Sequence, residues 1–141
     1  GRKATIYGVT PLTNEGGYWE SNYEEDIHKI FDEHSLIRPN IVKGLSTDKQ
    51  IIEETKRICQ PDILYIDGGH DYETVKSDII NYTPILKKGG YLVMDDCCND
   101  LNLPNGYFKG HKEVTRAVKD NIGKEFEFLF SVVHNKVWKK L

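Results

Sequence analysis

The chain has 141 residues, a net charge of -3, 38% hydrophobic residues and 29% charged ones. That length suits a single domain with a real core, and the composition excludes a disordered polar chain. Lys and Arg are dispersed among acids rather than gathered into the basic stripe that nucleic acid demands. No apolar run nears the ~20 residues of a membrane span.

Residues 4–9 (ATIYGV) are a short β-rich run closed by Thr10-Pro11. Residues 11–22 carry Pro, Asn, Ser and two glycines and read as a mobile loop, with Tyr18 and Trp19 as candidates for a substrate lid or for ordinary packing. Glu24 and Glu25 open a helix whose apolar stripe is Ile27, Ile30 and Phe31. Ile41-Val42 starts a second strand ending at Gly44. Ser46 or Thr47 then caps a helix that buries Ile51, Ile52, Thr55 and Ile58, and Pro61 stops it.

Residues 62–67 (DILYID) are continuously apolar at their centre, as expected of a strand covered on both faces. Gly68-Gly69 ends that strand, and a helix runs from Tyr72 to Leu86 with Val75, Ile79, Ile80 and Tyr82 inward. Lys88-Gly89-Gly90 turns the chain into the strand Tyr91 to Met94, which stops at Asp95-Asp96. A loop through Pro104 and Gly106 leads to a helix from Lys112 to Ile122. Phe126–Val133 and Lys136–Lys140 close the chain as an antiparallel pair turning at His134-Asn135, with Trp138 in the core.

This alternation predicts an α/β fold: a doubly wound, mostly parallel sheet with an antiparallel C-terminal hairpin, in one domain spanning 1–141. Gly1-Arg2-Lys3 runs straight into the first strand, so the expectation is an N-terminally incomplete piece of a longer chain. Cys59, Cys97 and Cys98 are odd in number and fit no zinc spacing, so they read as free thiols of a cytoplasmic protein.

Ligands of open α/β sheets bind at the carboxyl ends of the strands. Asp67-Gly68-Gly69-His70-Asp71 is the densest constellation there. Its acid must be solvated, hydrogen-bonded or bound to a cation, and its glycines permit positive φ and close ligand approach. His70 is placed to accept a proton. The blander alternative has Asp67 and Asp71 capping the helix and His70 as a surface side chain. Asp95-Asp96 ends the next strand, and if it converges with Asp67 the three carboxylates call for a proton or a divalent cation. Oxygen-only ligands favour Mg²⁺, Mn²⁺ or Ca²⁺. A Cys-His nucleophile using Cys97 or Cys98 with His70 or His111 has no local support, and small buried thiols are the expectation.

The string DILYIDGGHDYETVKSDIINYTPILKKGGYLVMDD resembles class I S-adenosylmethionine-dependent methyltransferases, in particular the small-molecule and sugar O-methyltransferase group. The likeness is close over 62–96 and weaker from Ala4 to the end. It implies a Rossmann-like seven-stranded sheet whose first strand and glycine-rich loop precede Ala4. It implies that Ser46 with its neighbours, including Gly44, approaches the adenine, and that Asp67, Gly68 and Gly69 approach the methionine end of S-adenosylmethionine. Thr10 stands where relatives carry the acid that holds the ribose. By the same resemblance Asp67, Asp95 and Asp96 hold Mg²⁺, while Asp67 and His70 serve catalysis on a small-molecule or sugar acceptor. Self-association into a homo-oligomer is a further expectation. Two other classes stay open: a degenerate, non-catalytic binding or assembly module, and a metal-dependent hydroxylase or hydrolase on the same fold.

Overall fold

The computed structural model describes residues 4–12, 23–102 and 106–141. The expectations for Gly1 to Lys3, for Tyr18 and Trp19 in their loop and for Pro104 lie outside the described residues. The chain divides into two compact units, residues 1–58 and 59–141. No helix among the described residues is long and apolar enough to cross a membrane.

The first unit holds β1 (Tyr7–Thr10), α1 (Tyr23–Glu33), β2 (Asn40–Lys43) and α2 (Lys49–Ile58). β1 and β2 run parallel in register from Tyr7↔Asn40 to Thr10↔Lys43. Gly44 N–H extends the ladder by donating to the Thr10 carbonyl at 3.1 Å. A side chain at Gly44 would place its Cβ 2.5 Å from Ile51 Cγ1, so the glycine lets α2 lie against the strand end. α2 buries Ile52 and Thr55 but leaves Ile58 exposed. Its start falls later than the expected cap. The Asp48 carbonyl accepts the Ile52 N–H at 2.9 Å, and Ser46 and Thr47 occupy the turn before it. The stripe expected on α1 is there, yet α1 buries no residue and Ile30 is exposed. Two short strands offer too little surface to cover an amphipathic helix.

The second unit holds β3 (Ile63–Ile66), α3 (Tyr72–Tyr82), a tight turn at Thr83–Ile85, β4 (Tyr91–Met94), α4 (Lys112–Asn121), β5 (Phe126–Val132) and β6 (Asn135–Lys140). The sheet order is β3-β4-β6-β5, with β3 and β4 parallel and the other two pairings antiparallel. The α/β class and the antiparallel hairpin are therefore as expected. α3 ends before Leu86 because Pro84 has no N–H to continue it, and the chain tightens there into a single narrow turn. The hairpin turns at Val133-His134, one residue earlier than expected, since Asn135 already pairs with Val132 and Val133 takes a left-handed φ of 53°.

α3 and α4 cover one face of this sheet, packing Val75, Ile79, Val114, Ala117 and Val118 on Leu92, Met94 and Trp138. Leu92, at 0% exposure, is worth about 1.5–3 kcal/mol of burial. The other face corrects the reading of β3 as covered on both sides: Ile63, Tyr65, Tyr91 and Phe130 are all exposed. Ile80 is likewise exposed on α3, where Asp78 is buried instead. Among the described residues β3 hydrogen-bonds only to β4.

The register decides where the chemistry lies. Ile66↔Met94 is the last pair of β3 and β4, so the residues after both strands emerge side by side. β6 runs antiparallel to β4 and pairs Lys136 with Met94, so the hairpin turn arrives at the same end.

Candidate active site

Asp67, Gly68, Gly69 and His70 follow β3, Asp95 and Asp96 follow β4, and all six line one shallow cleft with Ile66, Val75, Met94 and Val114. The sheet thus brings the three strand-end acids together. A larger concavity along α1 in the first unit is lined by Glu24, Glu25, His28, Lys29, Asp32 and Arg38. Its walls are solvated charges, without the convergent buried groups of a site.

Asp67 stays exposed, yet loss of water around its carboxylate raises its pKa, and the charges of Asp95 and Asp96 raise it further; His70 opposes the shift. Partial desolvation, with the Asp95 carboxylate next in importance, likewise pushes the Tyr65 phenol up to about 12. The cleft is short of positive charge.

Asp96 is buried and sits at a left-handed φ of 52°. Such a backbone costs energy in a side-chain-bearing residue and persists where the surroundings fix it. Here the neighbour is the segment entering α4. Cys97 bridges to Gly110, and His111 N–H donates to the Asp96 carbonyl at 2.8 Å. Gly110 has φ +85°, and a Cβ on it would stand 2.0 Å from the Asp96 carbonyl oxygen, so only glycine permits this approach.

Around the acids stand three histidines. His70 Nε2 is 3.3 Å and His111 Nε2 3.6 Å from Asp96 Oδ2, and the two rings stack with centroids 4.1 Å apart. His134 Nε2 is 3.3 Å from Asp95 Oδ1. Phe108 leans on the His111 and His134 rings at 5.6 and 5.5 Å. Asp95 Oδ1 is buried and receives no hydrogen bond.

The capping alternative holds for Asp71 alone: its Oδ1 accepts the Thr74 N–H at 3.0 Å. Gly68 and Gly69 are not at positive φ, which corrects that expectation. Their smallness serves packing, because a Cβ on Gly68 would lie 2.9 Å from Asp78 Oδ2 and one on Gly69 3.0 Å from Thr74 Cγ2. Thr10 and Gly44 are neighbours at the strand ends of the first unit, with Ser46 in the following turn. Cys97 and Cys98 are buried and free. Burial pushes the Cys97 thiol up to about 12 and raises Cys98 too, so both disfavour the thiolate a nucleophile needs. Sequence reasoning missed His134 beside the acids and weighed His111 only as a partner for a cysteine nucleophile. The signal was topological: an antiparallel partner of β4 must turn beside the end of β4.

Residues 2–97 match the model of a family described as "Methyltransferase domain". The chain belongs to that family. This methyltransferase domain is also 51% identical over 94 residues to "Uncharacterized protein R132" of Acanthamoeba polyphaga mimivirus, covering 64% of the chain and 40% of that protein. Among solved structures it resembles CalS11, a TDP-rhamnose 3'-O-methyltransferase, with a TM-score of 0.62 at 16% identity over 96% of the chain and 58% of that structure. It is similar to the O-methyltransferase NovP, with a TM-score of 0.60 at 18% identity over 99% of the chain and 61% of that structure. It is similar too to MycE in complex with Mg, SAH and mycinamycin VI, with a TM-score of 0.57 at 15% identity over 99% of the chain and 45% of that structure. At these identities the solved structures speak for the fold, and the chain spans less than two thirds of each relative's length.

Proposed function

We propose that this methyltransferase domain serves transfer of a methyl group from S-adenosylmethionine to a hydroxyl of a sugar or another small hydroxylated acceptor. The observation that carries the reading is the strand-end cluster itself, three acids with His70 Nε2 3.3 Å from Asp96 Oδ2, in a chain of this family. The names of CalS11 and NovP support oxygen as the atom methylated.

S-adenosylmethionine, when bound, supplies a methyl group already activated on a sulfonium, so alignment and a proton acceptor are what the protein must add. Asp67 fits the cofactor's positive end: its raised pKa reflects lost water and nearby negative charge, and a cationic group there favours its ionised form. Thr10, Gly44 and Ser46 are the candidates for the adenosine end. His70 turns Nε2 to Asp96, which keeps the proton on that nitrogen and leaves Nδ1 to take the hydroxyl proton. Asp96 orients the ring and steadies the imidazolium, the part a carboxylate plays behind a catalytic histidine. Half-exposed, His70 returns the proton to water.

A divalent cation fits beside the buried Asp95 Oδ1, which makes no hydrogen bond and faces His134 Nε2 at 3.3 Å. Asp95 and Asp96, with Asp67 beside them, would hold it, and it would supply charge that orients the acceptor and lowers its hydroxyl pKa. The test is calorimetric titration of S-adenosylhomocysteine into the folded full-length protein. Saturable heat is expected, and a folded protein giving none overturns the reading.

A further inference from the structure

We propose that Asp95, Asp96 and His134 form a divalent-metal site in which His134 Nε2 is a ligand, so that the site prefers a borderline ion such as Zn²⁺, Co²⁺ or Mn²⁺ to Mg²⁺. Donor atoms of these three residues lie within 4.8 Å of one another. His134 Nε2 and Asp95 Oδ1 are 3.3 Å apart, close to the edge of a tetrahedron of donors at about 2.1 Å from a zinc ion.

Two further observations point to an ion. Asp95 Oδ1 and His134 Nδ1 are buried without a hydrogen bond, and the carboxylate oxygen faces His134 Nε2 at 3.3 Å, a pairing that needs a proton on that nitrogen or an ion shared by the two. The backbone of His134 is also pinned at the spot, because its carbonyl accepts the Cys97 N–H at 2.9 Å. The imidazole is therefore delivered by a rigid two-residue turn. A nitrogen among oxygens changes the preferred metal: imidazole suits Zn²⁺ and its neighbours in the transition series, whereas Mg²⁺ keeps to oxygen and water.

A second donor set, His70, Asp96 and His111, also lies within 4.8 Å. Its geometry fails for one ion. The two rings stack at 4.1 Å with planes 19° from parallel, and an imidazole coordinates through a lone pair in its own plane. Lone pairs in two stacked planes do not meet at a point. Those rings stay on the outer side of Asp96, where His70 keeps the role given above.

The test is metal titration of the full chain by calorimetry, with Co²⁺ absorption reporting nitrogen ligation. Zn²⁺ is expected to bind more tightly than Mn²⁺, and both more tightly than Mg²⁺. His134→Gln should cost roughly 100-fold in Zn²⁺ affinity, at or beyond the top of the range for residues supporting a metal. His111→Ala should cost less. Equal affinity for Mg²⁺ and Zn²⁺ overturns the proposal, as does a larger loss on His111→Ala than on His134→Gln. Should His134→Gln fail to fold, the ring NMR signals of His134 in the unaltered chain decide, since they must shift on Zn²⁺ saturation and unmoved signals refute the ligand. The proposal stands apart from methyl transfer: absence of S-adenosylhomocysteine binding leaves it intact, and absence of metal binding leaves cofactor binding intact.

Discussion

His70 reaches Asp96 through Nε2 while half its side chain stays in water, so replacing it removes a proton acceptor and little packing. His70→Ala is expected to lower kcat by roughly 10²–10⁴-fold with the thermal midpoint retained. Methyl-transfer rates against an acceptor series measure the first and calorimetry the second, and unchanged turnover makes His70 a bystander. Asp71 gives the opposite signature. Its bonds to Thr74, side chain first and then backbone, hold its carboxyl below the usual range. A folded-state pKa below the unfolded one stabilises above the unfolded value, and the gain is lost as pH falls through the folded value. Asp71→Ala should therefore cost about 1 kcal/mol at pH 7 and progressively less in acid, read from urea midpoints across pH. Asp67 and Asp95 were legible as candidates because each directly follows an apolar strand, with Asp96 and His70 within three residues of them. His111 and His134 were not, since nothing near either of them in sequence says which strand end it meets.

Among elements, the helices and strands were legible from apolar periodicity, and their ends were less so. Ser46 and Thr47 look like caps by residue type, but the position of the first helical bond placed the start at Lys49. α3 shows how an end is finished by a distant residue. Lys140, in β6, donates to the carbonyls of Thr83, Pro84 and Leu86 at 2.9, 3.0 and 2.8 Å. These carbonyls belong to the turn that follows α3, where Thr83 O also accepts the Leu86 N–H at 3.3 Å, and a cation there suits the negative end of the helix dipole. Lys140→Met keeps the alkyl stem and removes all three of these bonds. It should destabilise the protein by about 1.5–3 kcal/mol, the range for bonds to a charged donor, measured by chemical denaturation. A loss under about 0.5 kcal/mol would mean that water replaces the ammonium.

For the molecule as a whole, the α/β class and the closing hairpin followed from element order, whereas the uncovered sheet face did not. A continuous apolar run such as residues 63–66 signals cover on both sides, and a sequence cannot say whether the covering layer lies within the chain. Ile63, Tyr65, Tyr91 and Phe130 leave apolar surface in solvent on the side opposite α3 and α4. The full chain should therefore enhance the fluorescence of an apolar dye such as ANS, and Tyr65→Lys with Phe130→Lys should reduce the signal without loss of helical circular dichroism. Dye binding unaffected by both changes would place the exposed surface elsewhere. The hairpin also ties the cleft to the sheet's register. His134 stands on the turn of two strands that pair with each other and, through β6, with β4, so the register of that pairing sets where its ring lies. A slip of β6 by one residue against β4 would turn Lys136 and Trp138 to the other face and carry His134 away from Asp95, so one pairing fixes both the core and this corner of the cleft.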